Sequence, residues 1–137
     1  MHHLKVLKDY LLDIDGSSNI TLQGGNTMQV TPVICKGSVL GVNVNTLGNQ
    51  PFLSIDVFVS TISLLSTNIG HKAIKGNAMK GTLGDVFLPF NSIEGHVAKV
   101  VYGNLSGSTV FRRITPISKI LEIAGVCLNG RGFLKLI

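Results

Sequence analysis

Two glycine-bearing breaks constrain the first third of the chain more than any other feature. Between Ser18 and Asn45, "SNITLQGGNTMQVTPVICKGSVLGVNVN", short runs rich in β-branched residues are cut at Gly24-Gly25-Asn26 and at Lys36-Gly37-Ser38. β-Branched side chains suit a pleated, half-buried surface, and glycine reaches the positive φ that a tight reversal demands. Three short strands joined by turns follow, which leaves little room for a long-helix architecture. Sixteen glycines spread over 137 residues extend that reading to the rest of the chain.

Ahead of this region, "LKVLKDYLLDID" puts Leu4, Leu7, Leu11 and Ile14 on one stripe, an amphipathic helix ending at Gly16. Behind it, Phe52 to Leu65, "FLSIDVFVSTISLL", is open to two readings: its Ile, Val and Thr favour strand, and its length without glycine permits helix. The C-terminal half suggests strands at "VFLPF", "HVAKVVY", "STVFRRI" and "GFLKLI", with Pro89 confining the first to an edge or a strand end. "GNLSGS", Gly103 to Ser108, reads as a hairpin loop. "TPISKILEIAGV" fits a short helix with Thr115 as N-cap, Pro116 at the first helical position and Gly125 closing it, though "KILEI" fits a strand almost equally. The expected fold is a mainly β, β-rich α+β domain, barrel-like or a twisted sheet. Residues 1–137 form one domain, with an N-terminal helix over 1–16 and a β-rich body over 17–137.

Hydrophobic residues make up 45% of the chain and charged residues 14%, with mean hydropathy +0.40. So apolar a surface is expected to be covered in part by a second copy, making a homo-oligomer. The most apolar window, Phe52 to Ile69, contains Asp56 and several hydroxyl side chains and falls short of a spanning helix. With no apolar leader core near the start, a cytoplasmic protein without a membrane partner is expected.

Charge is distributed unevenly. Lys5, Lys8 and Lys36 face Asp9, Asp13, Asp15 and Asp56 in residues 1–70, a net −1; residues 71–137 carry nine Lys and Arg against Asp85, Glu94 and Glu122, a net +6. An anionic partner would meet the C-terminal half. Nucleic acid is a candidate, with Lys72, Lys75, Lys80, Arg112, Arg113 and Arg131 on its phosphates.

Catalytic and metal motifs are sparse. His2, His3, His71 and His96 stand in no zinc spacing with Cys35 and Cys127, and the thiols read most simply as reduced core residues. No Gly-x-Ser-x-Gly elbow or phosphate loop occurs, and no cofactor is implied. "LLDIDG" resembles the Asp-x-Asp-Gly ending of the LAGLIDADG homing endonucleases, which would make Asp13 and Asp15 metal ligands for phosphodiester cleavage. A helix end running into an Asp-Gly turn accounts for the same residues.

A broader resemblance spans about residues 30–137. "IKGNAMKGTLGD", Ile74 to Asp85, resembles the Gly-x-Ser-Met segment of the serine–lysine peptidase clan, which includes LexA-type repressors and type I signal peptidases. "GHVAKVVYG" is similar to the clan's Gly-Asp-Ile-Val strand, "STVFRRI" to its Val-Lys-Arg strand, and "ILEIAGVCLNGRGF" to the segment ending in a Val-Asn-Gly turn. In the clan a serine hydroxyl attacks the peptide carbonyl while a neutral lysine takes its proton. The matching positions here are Ala78, which has no oxygen, and Arg112, whose guanidinium keeps its proton. The resemblance therefore implies a catalytically inactive, DNA-associated self-association module like the C-terminal domain of phage and LexA-type repressors, with no catalytic residue.

Overall fold

The computed structural model describes residues 2–137. Helix α1 (His2–Leu12) leads into strands β1 (Ser18–Thr21), β2 (Thr27–Cys35), β3 (Ser38–Val44) and β4 (Phe52–Ser54), which pair antiparallel in chain order. The breaks that define these strands lie where the sequence puts them. Lys36 and Gly37 both take positive φ, 51° and 79°, the geometry of a two-residue reversal matched to strand twist. Pro32 belongs to the outer part of β2, beyond the residues that pair with β1, so its missing N–H leaves no gap in the β1 ladder.

The ambiguous segment resolves as both readings in succession: β4 covers Phe52–Ser54, and α2 runs from Ile55 to Thr67. Its hydroxyls are absorbed by the helix itself. Ser60 and Thr61 donate to the Val57 carbonyl at 3.0 and 2.8 Å, and Ser66 donates to that of Ile62. With those groups satisfied, Val57, Phe58, Ile62 and Leu65 are buried, and α2 packs against α1 and against strands of both sheets.

The second sheet takes its strands from distant parts of the chain. β5 (Lys72–Ile74) and β6 (Cys127–Asn129) flank β7 (Phe133–Leu136), all antiparallel. Between β5 and β6 lie α3 (Ile93–Val100) and α4 (Ile114–Ile123). One core joins these elements, from Leu7 and Leu11 of α1 through Met28, Val30, Val42 and Val44 to Ile117, Ile120 and Leu121 of α4 and Leu134 of β7. A smaller cluster of Ala78, Leu83, Leu88, Ala98 and Val110 sits under the long loops on either side of α3.

The fold is mixed α+β, about 35% helix and 24% strand, with two antiparallel sheets that do not close into a barrel. This corrects the barrel-like expectation and the extent of strand in the second half. "HVAKVVY" lies in α3 and the turn after it, because Ser92 caps the helix by accepting the Gly95 N–H at 3.1 Å and because Glu94 occupies its first turn. "VFLPF" and the Ser108–Arg113 part of "STVFRRI" form no strand, and "GNLSGS" joins α3 to irregular chain instead of closing a hairpin. Of the two readings of "TPISKILEIAGV" the helix is the one that forms, as α4, and Gly125 follows it at φ 80°, but it begins one residue before Thr115, leaving Pro116 in the third position. Among the described residues no helix is long and apolar enough to cross a membrane.

Candidate nucleic-acid interface

Lys75 sits where the second sheet meets the helices. Its N–H continues the β5–β7 ladder by donating to the Gly132 carbonyl at 2.8 Å, and its own carbonyl accepts the Glu94 N–H at 3.0 Å. Both peptide groups are tied down, so the backbone that carries the side chain is fixed. The ammonium group is half-buried, and burial holds its pKa below the usual lysine value, offset in part by the charge of Glu122.

Three depressions meet at this lysine. The largest, about 850 Å³, lies between the end of β1, α4 and the β6–β7 turn and is lined by Lys75, Lys119, Glu122, Asn129 and Arg131. A second of about 250 Å³ adds Arg112, Thr115 and Ser118. A third of about 440 Å³ is bounded by Gly76, Asn77, Met79, Lys80 and Arg112. Beyond the β6–β7 turn, Arg131 and Gly132 also line a depression of about 720 Å³ that holds Lys72 and Phe133. Lys75 is common to the first three and Arg131 and Gly132 join the fourth to the largest, so these adjoining depressions form a furrow. Its rim is cationic, and of its basic side chains only Lys119 forms an ion pair among the described residues, 2.9 Å from Glu122 Oε1.

Of the six basic residues singled out in the sequence, the furrow collects Lys72, Lys75, Lys80, Arg112 and Arg131. Arg113 is different. It is 5% exposed, its guanidinium stacks 3.7 Å from the Tyr102 ring centroid, and it donates to Gln50 Oε1 at 3.0 Å and to the Phe111 carbonyl at 3.1 Å. It is a structural residue with no free face for a phosphate. Lys119 takes its place in the furrow, joined by Ser118, Glu122 and Asn129, none of which stands out in the sequence; the only local signal is the turn-forming Asn129-Gly130-Arg131-Gly132.

The start of α4, which aims Ser118, Lys119 and Glu122, is set by a buried carboxylate. Glu94 Oε1 accepts the N–H groups of Arg113 and Ile114, each at 2.6 Å, while Oε2 is buried without a partner. Burial pushes the Glu94 pKa up, opposed by the two N–H donors and by the Arg113 charge.

Ala78 and Arg112 lie close along the fold but are differently disposed. The Ala78 methyl is buried in the smaller core cluster and does not line the furrow, whereas Arg112 is exposed with Nη1 2.9 Å from Sδ of Met79. Asp13 and Asp15 are both exposed just beyond α1, and among the described residues no three His, Cys, Asp or Glu side chains converge as metal ligands would. Cys35 is exposed and Cys127 buried, unbonded to each other, and burial pushes the Cys127 thiol up to about 12. No protein-family model matches the chain, nor does any curated protein or solved structure.

Proposed function

We propose that the protein binds nucleic acid along the basic furrow. The observation that carries this reading is the gathering of Lys72, Lys75, Lys80, Arg112 and Arg131 on adjoining depressions, brought together from β5, the loop after it, the chain before α4 and the β6–β7 turn. Cations without carboxylate partners release condensed counterions when they meet phosphates, and that release drives association. In this reading Lys75 and Arg112 position the strand. A mobility-shift titration at two salt concentrations tests it. Affinity should fall steeply with salt, with a log–log slope of about −3 to −5 for these cations, and absence of binding at low salt would remove the reading.

A second reading, self-association, has its own observation. Met79, Val86 and Leu105 are 74%, 82% and 77% exposed on the loops that cover the smaller core cluster. A second copy covering them would give the catalytically silent assembly module that the peptidase-clan resemblance implies. Sedimentation showing only monomer at tens of micromolar would dismiss it.

A further inference from the structure

Phosphate cannot satisfy everything in the furrow. Its rim carries the exposed cations Arg112 and Arg131, but its floor is built differently. Ser118 Oγ, on a residue 3% exposed, and Asn129 Oδ1 are both buried without a hydrogen-bond partner. Asn129 lines two adjoining depressions, the smaller with Ser118 and the larger with Glu122, whose Oε1 lies 2.9 Å from the Lys119 ammonium. Buried polar atoms without partners are uncommon and costly, and of the four such side-chain atoms among the described residues Ser118 and Asn129 supply two, while a third, Glu122 Oε1, keeps the Lys119 ammonium beside it.

A phosphodiester oxygen is an acceptor only. It repels the Glu122 carboxylate and has no hydrogen to offer the Asn129 carbonyl. In a nucleic acid, N–H donors belong to the bases, and in a duplex their pairing edges are occupied. The floor therefore calls for an unpaired base, and the rim for the phosphates on either side of it.

The neighbouring depression supplies a second feature of the same kind. Phe133 lies beside Arg131 and Lys72, with its ring packed on Gly130 and the Lys72 ammonium 5.7 Å from its centroid. An aromatic ring flanked by cations along a basic groove is the arrangement on which successive single-stranded bases stack.

Resting on the nucleic-acid reading above, we infer that the ligand is a single strand, one of whose bases enters the furrow with its N–H edge against Glu122, Asn129 and Ser118. The test compares, at one salt concentration, a mixed-sequence single strand, the same sequence as duplex, and an abasic strand of equal length that keeps every phosphate. The single strand should bind at least about tenfold more tightly than the abasic strand, the size of effect expected from one stacked and hydrogen-bonded base. Ser118→Ala and Asn129→Ala should each reduce that preference, read as the ratio of native-strand to abasic-strand affinity for each variant. Equal affinity for native and abasic strands, or duplex bound as tightly as single strand, would overturn the inference while leaving the basic furrow a nucleic-acid site. Failure of all three polymers to bind at low salt would overturn the reading beneath it as well.

Discussion

Glu94 and Ile114 are twenty residues apart in sequence, yet the Glu94 carboxylate accepts the Ile114 N–H at 2.6 Å, and with it that of Arg113. Helix α4 begins at Ile114 with no capping side chain of its own, so α3 provides the cap for α4. The furrow depends on this contact, because α4 carries Ser118, Lys119 and Glu122.

Replacing the acid should show how much of α4 it holds. Glu94→Ala leaves two N–H donors unpaired in a buried place, which costs about 1–3 kcal/mol for each group so exposed to desolvation. Denaturant titration should show the lower midpoint, and backbone amide exchange should rise first in the opening turn of α4. A midpoint equal to that of wild type would mean that water or another group replaces the carboxylate.

The same carboxylate should give stability a pH dependence of known sign. Its pKa is raised in the folded protein because burial disfavours the charge, so the folded state binds the proton more readily than the unfolded chain. Glu94 thus favours folding most below the ordinary carboxylate pKa, and that contribution declines as pH rises through the raised folded value. The stability difference between wild type and Glu94→Gln, measured by denaturation at several pH values, should follow this direction. A difference that grows in favour of wild type with rising pH would contradict it.

Gly95 is required for a different reason. A Cβ at this position would run into the Pro89 carbonyl and would lie 2.9 Å from Ser92 Oγ, the atom that caps α3. Backbone on one side and a committed hydroxyl on the other leave little room to adjust. Gly95→Ala should therefore destabilise the protein by about 1–3 kcal/mol, as overpacking of tight sites does, although alanine is the better helix former. Thermal unfolding would show a gain in stability instead if the loop before α3 could move aside.

The first sheet could be read from the chain because each strand is local: turns at Gly24-Gly25 and Lys36-Gly37 separate runs whose buried positions alternate, as in Met28 and Val30. Of the second sheet only β7 was legible, as the strand expected at "GFLKLI"; β5 is separated from β6 and β7 by two helices, and nothing within Lys72–Ile74 announces a distant partner. In α3, the β-branched content of "HVAKVVY" outweighed a shorter signal, the Ser92 cap, which lies just outside the apolar run. The furrow was half-visible. Net charge placed its cations in the correct half of the chain, but neighbouring Arg112 and Arg113 are indistinguishable by sequence and opposite in burial, because Tyr102 and Phe111 close over only one of them.

That contrast supports the sharpest prediction about the furrow. Lys75 stands at the junction of three depressions, so Lys75→Ala should weaken nucleic-acid binding to a similar extent across sequences and reduce the magnitude of the salt slope by about one. Arg113 carries the same formal charge but is stacked on Tyr102 and bonded to Gln50. Arg113→Ala should leave the salt slope unchanged and instead lower stability by about 1–3 kcal/mol through the partners it strands. Salt-dependent binding and thermal unfolding of the two variants separate the roles, since charge alone would predict the same loss for both. If Arg113→Ala lowers the slope while the protein stays fully stable, the phosphate path runs on the Tyr102 side and not through the furrow.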